Sequence, residues 1–480
     1  MLAAMPIPPT TVPPADEAPS EAPSRRARGR DDACPGALRL HPADDGSLAR
    51  VRTPGGLLTA HQARELARVS EELGDGRLDL TSRGNLQLRG LDAACGGELA
   101  AGLREAGLLP SDRYDRVRNI VASPLSGLDG AGRGDVTAWA RELDATLCAG
   151  AWGELSGLSG RFLFAMDDGR GDVAALGADV TLIATRDGGA ALRVGSGTDG
   201  VVLEVRARDV PRAAALAAVE FLARAGESGT RAWRVRELPA QHAVTADGLM
   251  ARLADEGVEA VRIADIGRSG PVGGPGAPPA PGVVSGPDGR HAVSVLVPLG
   301  RVGAAQWRLL AALAALAARG GSGELRVTPW RGVVLPGFTA DGAAAAAREV
   351  ADAGLVTDPG SPWVGVGACT GRPGCAKSLA DVRAHAARAV ADAPRSPDTP
   401  QGSADPRQDS PGTPPVYFSG CERRCGHPGG RWVDALATSG TDYRLTVRDT
   451  REPDGVTDAG ATDVAAEQLA DAVATARGTA

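Results

Sequence analysis

The chain has 480 residues, enough for two or three domains with a sizeable core. Its net charge of −7 weighs against wholesale nucleic-acid binding, and no stretch is apolar for long enough to span a bilayer. Aromatic residues make up only 3%, so the core must rest on Leu, Val and Ala.

Residues 1–32 are Pro-rich and lack the basic-then-apolar order of a secretion signal; a disordered tail and a cytoplasmic location are expected. In that compartment, grouped cysteines point to metal or redox chemistry more than to structural disulfides. A first α+β unit (33–109) runs through the amphipathic "TAHQARELARVSEELG" into "GRLDLTSRGNLQLRGL", which reads as strand, Arg-Gly turn, strand. A larger unit (110–266) opens on the extended "RVRNIVASP" and contains "GRFLFAMDDG". Within it, "GSGTDG" (195–200) has the glycine spacing of a dinucleotide loop. Strand-like runs flank it and no helix follows, so it reads as a hairpin turn. Residues 267–290, rich in Gly and Pro, read as a linker.

The pattern then returns. In a unit spanning 291–357, "AAQWRLLAALAALAARG" leads into "GELRVTPWRGVVLPGF". Thr328 stands opposite Thr81, and Arg331-Gly332 is one position out of step with Arg83-Gly84. The last unit (358–480) carries the extended "WVGVGACTG", and its "PVYFSGCERR" mirrors "GRFLFAMDDG". A polar, Pro-rich insertion (393–415) interrupts it and is expected to be a surface loop. A repeat of this length predicts an internal duplication, with two similar α+β halves about a pseudo-twofold axis.

Only the second half carries paired cysteines. Cys369 and Cys375 form C-x5-C; Cys421 and Cys425 form C-x3-C. Four soft thiolates within reach of one another suit an iron–sulfur cluster or zinc. C-x5-C is wide for a zinc knuckle, whereas ligands spread around a cubane allow mixed spacing. "GRPGCAKS" also looks like a phosphate-binding loop, but Ala376 replaces its second glycine and both cysteines would go unexplained. Cys34, Cys95 and Cys148 are scattered and read as packed or free thiols.

C-x5-C followed by C-x3-C, in a duplicated chain with "LTSRGNLQLRG", resembles the nitrite and sulfite reductase family from about Cys34 onward. The resemblance implies two ferredoxin-like half-domains plus two larger α+β domains. It also implies a [4Fe–4S] cluster on Cys369, Cys375, Cys421 and Cys425, beside a tetrapyrrole held by basic residues. Within the family, three features are similar to the precorrin-3B synthase branch: "CPGALRL" with "DDGSLARVRTPGG", His427-Pro428 after the last cysteine, and "GRFLFAMDDG". Leu163 stands where reductases carry a second lysine, which leaves Arg161 as the only cation there. That branch implies oxygen-dependent hydroxylation of precorrin-3A at C20 with γ-lactone closure, giving precorrin-3B in aerobic cobalamin biosynthesis.

A flat macrocycle rimmed by carboxylates calls for guanidinium forks. The resemblance assigns Arg83 and Arg118 to positions facing the tetrapyrrole; Arg50, Arg52 and Arg161 are further candidates. Gln87, polar on an alternating strand, faces either inward or to solvent. A cluster passes one electron at a time, so the branch implies an external donor, NADH through a separate reductase. It also implies a mononuclear non-haem iron for O2. The iron's ligands are not legible among six histidines; His427 is the catalytic candidate, against a histidine hydrogen-bonded at the cluster edge. His41, His61, His242, His291 and His385 read as surface or helix positions. Arg423 and Arg424 in "CERRC" either offset the cluster's charge or face solvent. Two other readings stand beside this one: a sirohaem-dependent nitrite or sulfite reductase, and a non-enzymatic iron–sulfur electron carrier or sensor. Oligomeric state is left open.

Overall fold

A computed structural model describes residues 32, 34–195, 200–263, 278–317, 323–393, 413–449 and 461–479. The N-terminal tail, most of the 195–200 turn, the first part of the 267–290 stretch and most of the 393–415 insertion therefore lie outside the described residues.

Strands and helices are numbered in chain order. The first half-domain contributes β1 (His41–Ala43), β2 (Gly46–Val51), β3 (Leu57–Thr59), β4 (Arg77–Leu80) and β5 (Leu86–Leu91), with helices α1 (Ala60–Leu73) and α2 (Gly96–Glu105). The second contributes β12 (Gly282–Ser285), β13 (His291–Leu296), β14 (Arg301–Gly303), β15 (Glu324–Val327) and β16 (Gly332–Phe338), with α6 (Ala304–Ala317) and α7 (Ala340–Asp352). The two sheets exchange an edge. One runs β1-β2-β5-β4-β14, the other β12-β13-β16-β15-β3. Each thus ends in a strand supplied by the other half, β14 on β4 and β3 on β15, both antiparallel.

Helix α1 starts where Thr59 and Gln62 form a reciprocal capping box. It buries Ala63, Leu66, Ala67 and Ser70, an i, i+3, i+4, i+7 stripe. That stripe shares one core with Trp307 and Leu310 of α6, so the two half-domains close over a common apolar centre. The duplicated fold expected from the repeat is therefore present, with the halves interlocked rather than side by side. β12 lies inside the stretch read as a linker, so the second half-domain begins before residue 291.

Each half also carries a larger sheet. In the first, β6 (Ile120–Ala122), β7 (Phe164–Asp167) and β8 (Val180–Ala184) are parallel, followed by antiparallel β9 (Ala190–Val194), β10 (Val201–Val205) and β11 (Ala260–Arg262). Val194 pairs with Val201 across the 195–200 turn, as a hairpin requires. Helices α3 (Thr137–Ala149), α4 (Val210–Glu227) and α5 (Ala246–Asp255) pack on this sheet. In the second half, β17 (Val366–Ala368), β18 (Val416–Ser419) and β19 (Arg431–Ala437) are parallel, followed by antiparallel β20 (Asp442–Asp449) and β21 (Thr462–Ala465). Helices α8 (Val382–Ala391) and α9 (Leu469–Thr479) cover them. Among the described residues, no helix is long and apolar enough to cross a membrane.

Candidate functional site

The site is built on one face of the first half-domain sheet. Side chains alternate along a strand, so β2 and β5 send Ala49, Val51, Leu86 and Leu88 into the core. The intervening positions put Arg50, Arg52, Gln87 and Arg89 on the opposite face. A cross-strand row runs Arg50–Gln87–Asp79–Arg301 in register.

At one end of this face, three guanidiniums gather. Arg50 donates to Gln87 Oε1 (3.4 Å) and to Cys34 Sγ (3.6 Å). Arg52, 1% exposed, donates to Asn119 Oδ1 (3.1 Å), Cys34 Sγ (3.4 Å) and Gly160 O (3.2 Å). Arg83, in the turn between β4 and β5, donates to Gly160 O at 3.5 Å. Among the described residues none of the three arginines pairs with a carboxylate. Burial, then the neighbouring cations Arg234, Arg52 and Arg50, push the Arg83 guanidinium down to about 10. Burial, then Arg50, lower Arg52 as well. A desolvated group of cations with no carboxylate ion-paired to it favours an anionic ligand.

At the other end sits the thiol loop. Arg89 Nη2 donates to Gly374 O (2.6 Å) and holds Asp45, while Arg383 reaches Asp79 at 3.2 Å. The segment from Cys369 to α8 is thereby seated over the same polar face. Cys369 follows β17 and Cys421 follows β18, two adjacent parallel strands. The ladder continues as Cys369 N–H donates to Phe418 O (3.0 Å), and Gly420 N–H donates to Cys369 Sγ (3.2 Å). Leu379 N–H donates to Gly420 O (2.8 Å), which binds the two loops together. Gly420 is required there, since a Cβ would collide with the Ser378 hydroxyl.

The four thiols share one environment. Burial, and then the Cys425 and Cys375 sulfurs, push Cys369 up, while the Gly420 and Gly371 amides pull it down. Burial also pushes Cys425 up; Arg423 opposes this, and Cys421 and Cys375 add to it. A tetrahedral zinc would hold its sulfurs about 3.8 Å apart. Among the described residues, no three of these sulfurs lie within 4.8 Å of one another. Two adjacent strand ends, glycine turns and backbone N–H donors to sulfur are features that an iron–sulfur cluster uses.

Residues 41–106 and 285–353 match the description "Nitrite/Sulfite reductase ferredoxin-like half domain". The solved structure of Mycobacterium tuberculosis NirA protein superposes with a TM-score of 0.61, covering 88% of this chain and 79% of that one at 21% identity. The fold is that of the nitrite and sulfite reductases. A ferredoxin–nitrite reductase of Synechococcus elongatus is 37% identical over 127 residues, 26% of this chain and 25% of that one. A precorrin-3B synthase of a Sinorhizobium species is 37% identical over 100 residues, 21% of each chain. These matches span about a quarter or less of the length of those curated relatives.

On this nitrite/sulfite reductase scaffold, the structure brings Arg50, Arg52, Arg83 and Gln87 together. It does not bring Arg118 to them: that guanidinium is bidentate on Asp144 (2.6 and 2.8 Å) and also donates to Leu108 O. Arg161 lies over the Trp233 ring, 4.8 Å from its centroid. Leu163, 2% exposed, packs in an apolar cluster with Val121, Ala165 and Val173. His427 is exposed, stacked on Trp432 (5.2 Å between centroids), with Nδ1 donating to Pro428 O (2.8 Å). His385 lies on α8, one of the surface or helix positions expected, and is buried there with its Nδ1 2.7 Å from Tyr443 Oη. Arg424 turns from the thiols to Asp434 and Glu422, leaving Arg423 as the exposed cation of "CERRC".

Three participants were not singled out from the sequence. Cys34 was read as packed or free, yet its sulfur accepts from two arginines. Asn119 links Arg52 to Asn85 (3.0 Å), the residue after the Arg83-Gly84 turn. Asp167 and Asp168, whose motif was noted as a repeat and a branch feature, and Asp172 just beyond it offer oxygens within 4.8 Å of one another. That trio is already compensated. Arg170 holds Asp168 (2.7 Å), backbone amides of Gly169, Gly171 and Ala174 hold Asp167, and Ser123 donates to Asp172.

Proposed function

We propose that this chain is an iron–sulfur oxidoreductase acting on a tetrapyrrole, and specifically an oxygen-dependent hydroxylase converting precorrin-3A to precorrin-3B. One observation carries the reading. Three guanidiniums without carboxylate partners gather at one end of a sheet face, and the loop of Cys369 and Cys375, bonded to the Cys421 loop, is seated at the other. Cys369, Cys375, Cys421 and Cys425 would hold a [4Fe–4S] cluster, which supplies one-electron transfer when bound. Arg50, Arg52 and Arg83 would grip acetate or propionate carboxylates and so orient the ring over Gln87. Gln87 is fixed by Arg50 and offers its amide to the ring's polar edge. Arg118 is engaged with Asp144, and an apolar cluster surrounds Leu163. The first takes Arg118 out of the carboxylate-binding set, while the second leaves one cation fewer for a small oxyanion, which favours a macrocyclic substrate. An external NADH-dependent reductase would deliver the electrons, and the mononuclear iron expected of the branch has no ligand set among the residues gathered here.

The alternative, a sirohaem-dependent reductase, draws support from the ferredoxin–nitrite reductase similarity. Titrating anaerobically purified protein with precorrin-3A, followed by absorbance, separates the two. Saturable binding that Arg83→Ala weakens supports the hydroxylase. A stoichiometric sirohaem band with no precorrin binding would replace it with the reductase.

A further inference from the structure

The duplicated turn supplies a second arginine, Arg331, which reaches the thiol loop instead of the cation group. Arg331 has φ +60°, a left-handed conformation uncommon for a residue with a side chain. Its stem lies over Gly300, where a Cβ would collide with Arg331 Cδ. Its guanidinium then crosses the Tyr417 ring, 5.3 Å from the centroid. It passes Gly367, where a Cβ would sit 2.9 Å from Tyr417 and 3.4 Å from Arg331 Nη1. Nη2 donates to Gly426 O (2.9 Å) and to Tyr417 Oη (3.2 Å), and Tyr417 Oη donates to Cys425 O (2.7 Å). At Gly426 a Cβ would come within 3.0 Å of Tyr417 Oη and 3.1 Å of Nη2. Three glycines from three segments therefore leave a passage for one cation to reach the backbone of the last cysteine.

We propose that Arg331 is a positioning residue that fixes the Cys425–Gly426 backbone and raises the reduction potential of the cluster held there. The inference rests on the cluster reading above. Reduction adds negative charge to the cluster, and a fixed cation nearby favours that state.

The test is an EPR-monitored redox titration of the full chain, purified without oxygen, as wild type, Arg331→Gly and Arg331→Lys. Glycine suits the positive φ, so the fold is retained while the guanidinium is lost. Arg331→Gly is expected to keep the cluster signal. At the wild-type midpoint its reduced-to-oxidised ratio should fall about tenfold, equivalent to ~59 mV for a one-electron couple. Arg331→Lys should recover part of that loss, since it keeps the charge without the fork. If Arg331→Gly loses the cluster, Arg331→Gln, a donor without charge, carries the potential measurement. A cluster that titrates at the wild-type midpoint in the uncharged variant overturns the proposal. No cluster signal in wild type would instead overturn the cluster reading itself.

Discussion

The ends of β6 and β7 and the ends of β17 and β18 are the same backbone used for two different purposes. In the first, Ser123 N–H donates to Met166 O (3.0 Å) and Asp168 N–H donates to Ser123 Oγ (3.1 Å). In the second, Cys369 N–H donates to Phe418 O (3.0 Å) and Gly420 N–H donates to Cys369 Sγ (3.2 Å). Ser123 thus stands where Cys369 stands, and Asp168 where Gly420 stands. One copy fills the space with carboxylates and closes it with Arg170, which also holds Asp129. The other leaves glycine turns and sulfurs, with its nearby Arg424 drawn away to Asp434. The scaffold supplies adjacent strand ends and a free N–H. The side chains decide whether that geometry becomes an ion network or a thiol loop.

The comparison breaks most sharply at the thiols. Cys421→Ser or Cys375→Ser should abolish the [4Fe–4S] EPR signal of reduced protein altogether, and Cys95→Ser should leave it intact. A surviving signal in the first pair would mean that the ligands are misassigned. The carboxylate copy should fail differently. Arg170→Met strands Asp168, which is fully buried, and should cost about 3–5 kcal/mol in chemical denaturation. The cluster signal per folded molecule should not change; a cost near zero would show that the network is not held by Arg170.

The two repeated turns sharpen the contrast further. Arg83 faces the unpaired cation group, whereas Arg331 grips the thiol loop. Arg83→Ala should weaken macrocycle binding by about 1.5–3 kcal/mol, tenfold or more, with the cluster still present. Unchanged affinity in a calorimetric titration would remove Arg83 from the site.

The carboxylate copy also carries a pH dependence. Burial pushes Asp172 up from its usual 3.8 to about 7, against the Ser123 hydrogen bond and with Asp167 adding to the rise. The folded state then holds this proton more tightly than the unfolded chain, so its stability contribution is lost as pH rises between about 4 and 7. Asp172→Asn should flatten that slope in denaturation curves taken across the window. An identical slope would assign it to another group.

Much of this was legible in the sequence, for local reasons. C-x5-C and C-x3-C put each thiol pair within one turn, and the repeated helix–strand–turn–strand pattern announced the duplication. The exchange of β3 and β14 was not legible, because it pairs strands more than 200 residues apart and leaves no local periodicity. Arg118 matched a motif, but its partner Asp144 sits 26 residues away on α3, beyond what the motif encodes. Cys34 looked isolated because the arginines around it come from β2 and from a different turn. Arg331 looked like a copy of Arg83; only the backbone twist at φ +60° and three distant glycines redirect it.

Iron and sulfide analysis of oxygen-free protein, with EPR of the dithionite-reduced sample, reaches the central claim most directly. The account predicts four irons and four sulfides per chain and a reduced-cluster signal that disappears when Cys421 is replaced. Zinc at these thiols, or no metal at all, would contradict it.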